Sequence, residues 1–165
     1  MCHDKVKFQY WLSSEFRVRG NRNDAEYRLD FSMLPPGESW EVKLKQYALQ
    51  CDDGAAVDTD GNDAPIGIIE IIGFSLPYNM EVNLDGNIKM SPKFSRIDLG
   101  PYAAGADECC VNPSSDQPAI VINRPLTGTY RVELMSGTSG HLVAGKAADG
   151  SLQPWVMLLE FTRRD

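Results

Sequence analysis

Apolar and polar residues alternate along most of this chain. Val6, Phe8, Tyr10 and Leu12 interleave with Lys5, Lys7, Gln9 and Trp11, the period-2 pattern of a strand with one buried face. Phe16 and Val18 flank Arg17 in a short second run, and Tyr27, Leu29, Phe31 and Met33 alternate against Arg28, Asp30 and Ser32. Leu34-Pro35-Pro36-Gly37 ends that strand, since proline cannot extend a ladder and glycine permits the reversal. The next segment, GESWEVKLKQYALQC from Gly37 to Cys51, alternates and then loses step. Trp40, Val42 and Leu44 share one parity, Tyr47 and Leu49 the other. A one-residue slip sends every later side chain to the wrong face. An extra residue near Lys45-Gln46, a β-bulge, restores Tyr47 and Leu49 to the core. The pattern therefore predicts one long bent strand over residues 39–51.

Beyond an acidic loop at 52–65, Ile66–Leu76 is apolar on both parities, as expected of a strand central in its sheet or covered on both faces. Asp85-Gly86 between the runs Met80–Leu84 and Ile88–Met90 signals a hairpin. Phe94, Ile97 and Leu99 continue less regularly, and Gly100–Pro118 reads as a long surface connection. Strands at 119–124, 128–135 and 154–163 close the pattern, with Trp155, Met157, Leu159 and Phe161 on one face and a minor run at His141–Val143. No segment keeps a 3.6-residue period over three turns. The elements predict an all-β, two-sheet antiparallel sandwich spanning 1–165 as a single domain. The long connections favour Greek-key crossing and jelly-roll topology. An immunoglobulin-like sandwich is the runner-up, weakened by chain length and the lack of a Cys…Trp…Cys frame.

Charge narrows the partners. With 16 Lys+Arg against 23 Asp+Glu the net charge is −7, which repels phosphate backbones, and no basic stripe interleaves with aromatics. Arg163-Arg164 is too short to outweigh this and reads as a solubilising chain end. Nucleic acid is not an expected partner. No apolar run is long enough to span a bilayer, the polar start MCHDKVKFQYW offers no signal-peptide core, and the expectation is a protein that is not secreted. The four cysteines are Cys2, Cys51, Cys109 and Cys110. The adjacent pair cannot bridge without strain, a long-range disulfide stays open, and a reducing setting is expected.

Candidate chemistry is sparse. His3 and His141 are the only histidines, and Cys2 beside His3 cannot complete a tetrahedral metal site. Ser139-Gly140-His141 lacks a nucleophile elbow, and Ser136–Gly140 reads as a flexible turn. Nothing beside Cys109-Cys110 lowers a thiol pKa. Asp58-Thr59-Asp60-Gly61-Asn62-Asp63 has carboxylates at spacings that can wrap Ca²⁺, but its glycine falls at the wrong place and no glutamate closes it. The phosphate-cradling glycine signatures are missing. The sequence thus predicts no catalytic, cofactor-binding or metal-ligating residue, no cofactor and no small-molecule substrate.

Residues 26–51, with their alternating strand, Pro/Gly turn and Gly37-Glu38-Ser39-Trp40-Glu41-Val42-Lys43-Leu44 segment, resemble the early strands of single jelly-roll capsid proteins. These are the minor capsid or penton proteins of Polinton-like elements, virophages and related double-stranded DNA viruses. The resemblance implies a non-enzymatic virion protein whose partners are copies of itself and neighbouring capsid proteins. The loops at 52–65, 100–118 and 136–150 are then the expected contact elements, and the acidic charge fits a place in the shell rather than against the genome. A calcium-aided carbohydrate binder on the same fold, using Trp11 or Tyr78, is the alternative.

Overall fold

The computed structural model describes residues 6–35, 39–50, 56–58, 66–74, 80–82, 85–91, 93–98, 108–111, 119–136, 141–144 and 154–164. Among the described residues fourteen strands run in chain order: β1 (Lys7–Ser13), β2 (Arg19–Asn21), β3 (Asp24–Leu29), β4 (Ser39–Gln50), β5 (Ala56–Asp58), β6 (Ile66–Ile72), β7 (Met80–Val82), β8 (Ile88–Met90), β9 (Lys93–Asp98), β10 (Glu108–Val111), β11 (Ile120–Asn123), β12 (Gly128–Ser136), β13 (Leu142–Ala144) and β14 (Trp155–Arg164). The described residues contain no α-helix, only a 3-10 turn at Ser14–Phe16, and no helix long and apolar enough to cross a membrane. The all-β two-sheet sandwich expected from the alternation is the observed architecture.

One five-stranded sheet has the order β1-β14-β4-β10, with β11 also on β4; the other has the order β2-β3-β12-β6-β9. Every pairing of the named strands is antiparallel, and the pairs are nested: β1 with β14, β3 with β12, β4 with β10 and β11, β6 with β9. The chain therefore runs as one long two-stranded ribbon whose two arms return alongside each other. Two further contacts, β14 with β4 and β12 with β6, roll that ribbon into two sheets.

The inward faces follow the alternation. Trp155, Met157, Leu159 and Phe161 are buried from β14, and Trp40, Val42, Leu44 and Tyr47 from β4. Opposite them lie Ala25, Tyr27, Leu29, Ile69, Ile71, Val132 and Leu134 from the second sheet. Each fully buried large side chain contributes about 1.5–3 kcal/mol of apolar transfer, which is why the register of these strands is so strongly specified. Phe31 sits among Tyr10, Tyr130, Phe161 and Phe74, with ring centroids 5.4, 5.5, 5.5 and 6.2 Å away.

The predicted slip in β4 is a bulge at Lys45. Leu159 pairs with Leu44 and Leu158 with Gln46, so Lys45 has no residue opposite it on β14. The bulge lies where β4 changes its other neighbour. Residues Ser39–Val42 pair with β11 and Tyr47–Gln50 with β10. Local bending at the extra residue lets one strand serve both partners.

Several features differ from the sequence reading, among them the short strand β5, paired with β13, inside the loop expected at 52–65. The strand expected through Met33 ends at Leu29. The Asp30 carboxylate accepts a hydrogen bond from the Ser32 N–H at 2.9 Å and Leu34 N–H donates to the Phe31 carbonyl at 3.1 Å, a local turn that competes with the ladder and leaves Met33 79% exposed. The Phe16–Val18 run is not a strand: Ser14 is buried, its hydroxyl accepts from the Trp155 N–H at 3.0 Å, and the 3-10 turn this anchors points Phe16 and Val18 outward. The 100–118 stretch, expected as a surface connection, contains β10, paired to β4 through Cys109 and Cys110. Its sequence, ECCV, is too short to show a period.

The Asp85-Gly86 hairpin is present as β7 with β8, and Gly86 has a positive φ of 78°, the conformation glycine supplies at least cost.

Candidate functional site

The outward face of the second sheet carries a row of charged residues set by register. Asp24 on β3 stands opposite Glu133 on β12, Glu133 opposite Glu70 on β6, and Glu70 opposite Lys93 on β9. The alternation that sends Ala25, Val132, Leu134 and Ile69 inward turns these residues outward. Carboxylates directly opposed across neighbouring strands repel one another, so the row needs cations.

Arg131, two residues before Glu133 and so on the same face, supplies one. Its Nε and Nη2 donate to Asp24 Oδ1 and Oδ2, both at 2.7 Å, and Nε also lies 2.9 Å from Glu133 Oε1. This is the planar fork that suits arginine to carboxylates. The Arg131 hydrogen bonds hold the Asp24 carboxyl below the ordinary range for aspartate, against the opposing effect of burial. The neighbouring row extends the network: Glu26 stands opposite both Arg131 and Arg19, and Arg19 Nη2 donates to Glu26 Oε1 at 2.6 Å.

His141 enters from the far side. It forms an isolated antiparallel bridge with Met135 just before β13, which brings the imidazole over the end of the row. Its Nε2 lies 3.6 Å from Glu133 Oε2 and 3.9 Å from Asp24 Oδ2. That nitrogen is withdrawn from water and has no hydrogen-bond partner. Glu133 is buried, its side chain only 11% exposed. One donor atom each from Asp24, Glu133 and His141 fall within 4.8 Å of one another, the single such group among the described residues.

From the sequence, His141 lacks the elbow of a nucleophile site, and no metal-ligating role falls on His141, Asp24 or Glu133. In one dimension these two carboxylates are 109 positions apart and look like any outward strand positions. The available signal was Arg131-Val132-Glu133, a basic and an acidic residue on one face of a strand. Of the other candidates, Cys109 and Cys110 lie in β10 and Asp58 ends β5 against Leu142. Trp11 is 56% exposed on the edge strand β1. Ser136 is buried at the end of β12, and Arg163 and Arg164 belong to β14, with Arg164 Nε 3.6 Å from Glu41. Cys2, His3, Cys51, residues 59–63, Tyr78 and Ser139 lie outside the described residues.

Neither a protein-family model nor a curated protein matches the chain in sequence.

Proposed function

We propose that this chain is a single jelly-roll building block of a virus shell, a minor capsid or penton protein, acting through contacts with its own copies and neighbouring shell proteins and without catalysis. The nested pairing supports the jelly-roll half of this reading. Counting the principal strands in chain order as β1, β3, β4, β6, β9, β10 with β11, β12 and β14, the outermost pair with each other and so on inward. That is the pattern of an eight-stranded ribbon rolled into two Greek keys.

The observation that carries the assembly half is the end of the sandwich formed by the turns at 30–35 and 124–127. Thr127 Oγ1 accepts from the Phe31 N–H and donates to Asp30 Oδ1, each at 2.9 Å, and Arg124 donates to the Leu34 carbonyl at 2.8 Å. These turns hold Met33 and Leu126 outward, 79% and 78% exposed. Turns already ordered by these hydrogen bonds spare docking the cost of fixing their backbone, and closed symmetry multiplies a small contact.

Sedimentation velocity and native mass measurement of the full chain test the reading. Wild-type protein is expected as a closed oligomer, and the Met33→Glu/Leu126→Glu double variant as a smaller species with an unchanged circular dichroism spectrum. A wild-type chain that stays monomeric at the highest attainable concentration, or a double variant that assembles as well as wild type, would overturn it.

A further inference from the structure

We propose that Asp24, Glu133 and His141 bind one divalent ion of the zinc class, clipping His141 to strands β3 and β12. Charge accounting comes first. Glu70 has Lys93 opposite it on its other side, whereas Asp24 and Glu133 share the guanidinium of Arg131. Two carboxylates and one guanidinium leave an excess negative charge beside Glu133, a residue largely removed from water. An uncompensated charge there is costly.

The geometry fits a cation better than a hydrogen bond. At 3.6 and 3.9 Å the imidazole Nε2 is too far from either carboxylate oxygen to share a proton well. In a tetrahedral zinc site with bonds of about 2.0–2.1 Å, adjacent donor atoms stand about 3.4 Å apart. Arg131 occupies Glu133 Oε1 and leaves Oε2 turned to the imidazole. Asp24 Oδ2, held by Arg131 Nη2, keeps a second lone pair for a metal, so Arg131 serves as the outer group that orients both carboxylate ligands. One imidazole with two carboxylates suits zinc and its transition-metal neighbours. Calcium prefers six to eight oxygens, and magnesium an octahedron of them. The Asp24 and His141 side chains are each about one-third exposed, which leaves the remaining position to water. This inference does not depend on the assembly reading, and the Met33→Glu/Leu126→Glu variant is expected to bind zinc with unchanged stoichiometry.

The test is a zinc titration of the full chain by calorimetry, with thermal melts in zinc, calcium and chelator. Zinc is expected to bind once per chain and raise Tm, the rise being reversed by chelator and not reproduced by calcium. His141→Ala is expected to lose that rise while melting like wild type in chelator, and Glu133→Gln to bind zinc more weakly. Cobalt(II) as a spectroscopic probe is expected to give bands without the intense near-ultraviolet absorption of thiolate ligation, which separates this site from the four cysteines. Zinc binding that survives unchanged in His141→Ala, a thiolate band on cobalt, an equal effect of calcium, or no zinc-dependent change in Tm would each overturn the proposal.

Discussion

Arg131 and Asp24 meet fork to fork across β12 and β3, with both nitrogen–oxygen distances at 2.7 Å. The pair matters because Glu133 also leans on the same guanidinium, at 2.9 Å. Arg131→Leu leaves two facing carboxylates without that cation. Both Arg131 and Asp24 are partly exposed, so solvent screens the loss, and a cost of about 1–2 kcal/mol is expected. Arg131→Lys restores the charge without the fork and recovers only part of it. Urea unfolding reads this as a lower midpoint at unchanged slope; a leucine variant as stable as wild type contradicts it.

The bulge makes a sharper prediction about register. Deleting Lys45 removes the residue with no opposite number, leaves the pairs Leu159–Leu44 and Leu158–Gln46 adjacent, and keeps Trp40, Val42, Leu44 and Tyr47 inward. Its expected cost is about 1 kcal/mol, the scale of the lost Lys45–Glu160 contact at 3.7 Å. Deleting Lys43 instead either turns Trp40 and Val42 outward or straightens the bulge and drives Lys45 into the place of Leu44. That loss is expected at about 3–5 kcal/mol or more. Thermal melts of the two single-residue deletions distinguish them, and equal melting would refute the assigned bulge.

Acid sensitivity is expected at the turn that holds Met33. The Ser32 backbone N–H, foremost, and the Ser32 and Thr127 hydroxyls hold the Asp30 carboxyl below its ordinary value. The folded protein thus releases this proton more readily than the unfolded chain, whose aspartate titrates at about pH 3.9. The stabilisation is complete above that pH and disappears as pH falls through the lower folded value. Asp30→Ala should therefore be less stable than wild type at neutral pH, with the gap closing on acidification below about pH 4. Denaturant midpoints at both pH values measure it, and a gap that widens in acid would show the sign to be wrong.

Tyr130 separates ring from hydroxyl. Its O–H donates to the Leu126 carbonyl where the chain crosses from β11 in one sheet to β12 in the other, an arrangement like the tyrosine corner known from Greek-key sandwiches. Its ring packs on Phe31 and Phe74. Tyr130→Phe is expected to cost about 1 kcal/mol and Tyr130→Ala about 3–5 kcal/mol. If phenylalanine is as damaging as alanine in thermal melts, the hydroxyl rather than the packing fixes the corner.

The candidate site was the least legible part of the sequence. Asp24, Glu133 and His141 each satisfy the rule for an exposed position, and nothing along the chain says that β3 and β12 are neighbours. Met33 misled for a related reason: it continues the alternation of Tyr27, Leu29 and Phe31, but the Asp30 carboxylate captures the Ser32 amide and ends the ladder first.

The long strands β1, β4, β12 and β14, their inward faces and the slipped register of β4 were determined by the sequence by itself, because a period of two against a single buried face admits one low-energy orientation for each strand. Strands β5 and β10 are too short to show that period. Apart from the β7–β8 hairpin announced by Asp85-Gly86, which strands lie side by side was decided only by the tertiary structure. Antiparallel hydrogen bonding accepts any partner of suitable length, and the choice is made by how the rolled ribbon buries Trp40, Phe31 and Phe161 together. That same choice sets Asp24 against Glu133 and lays His141 over both.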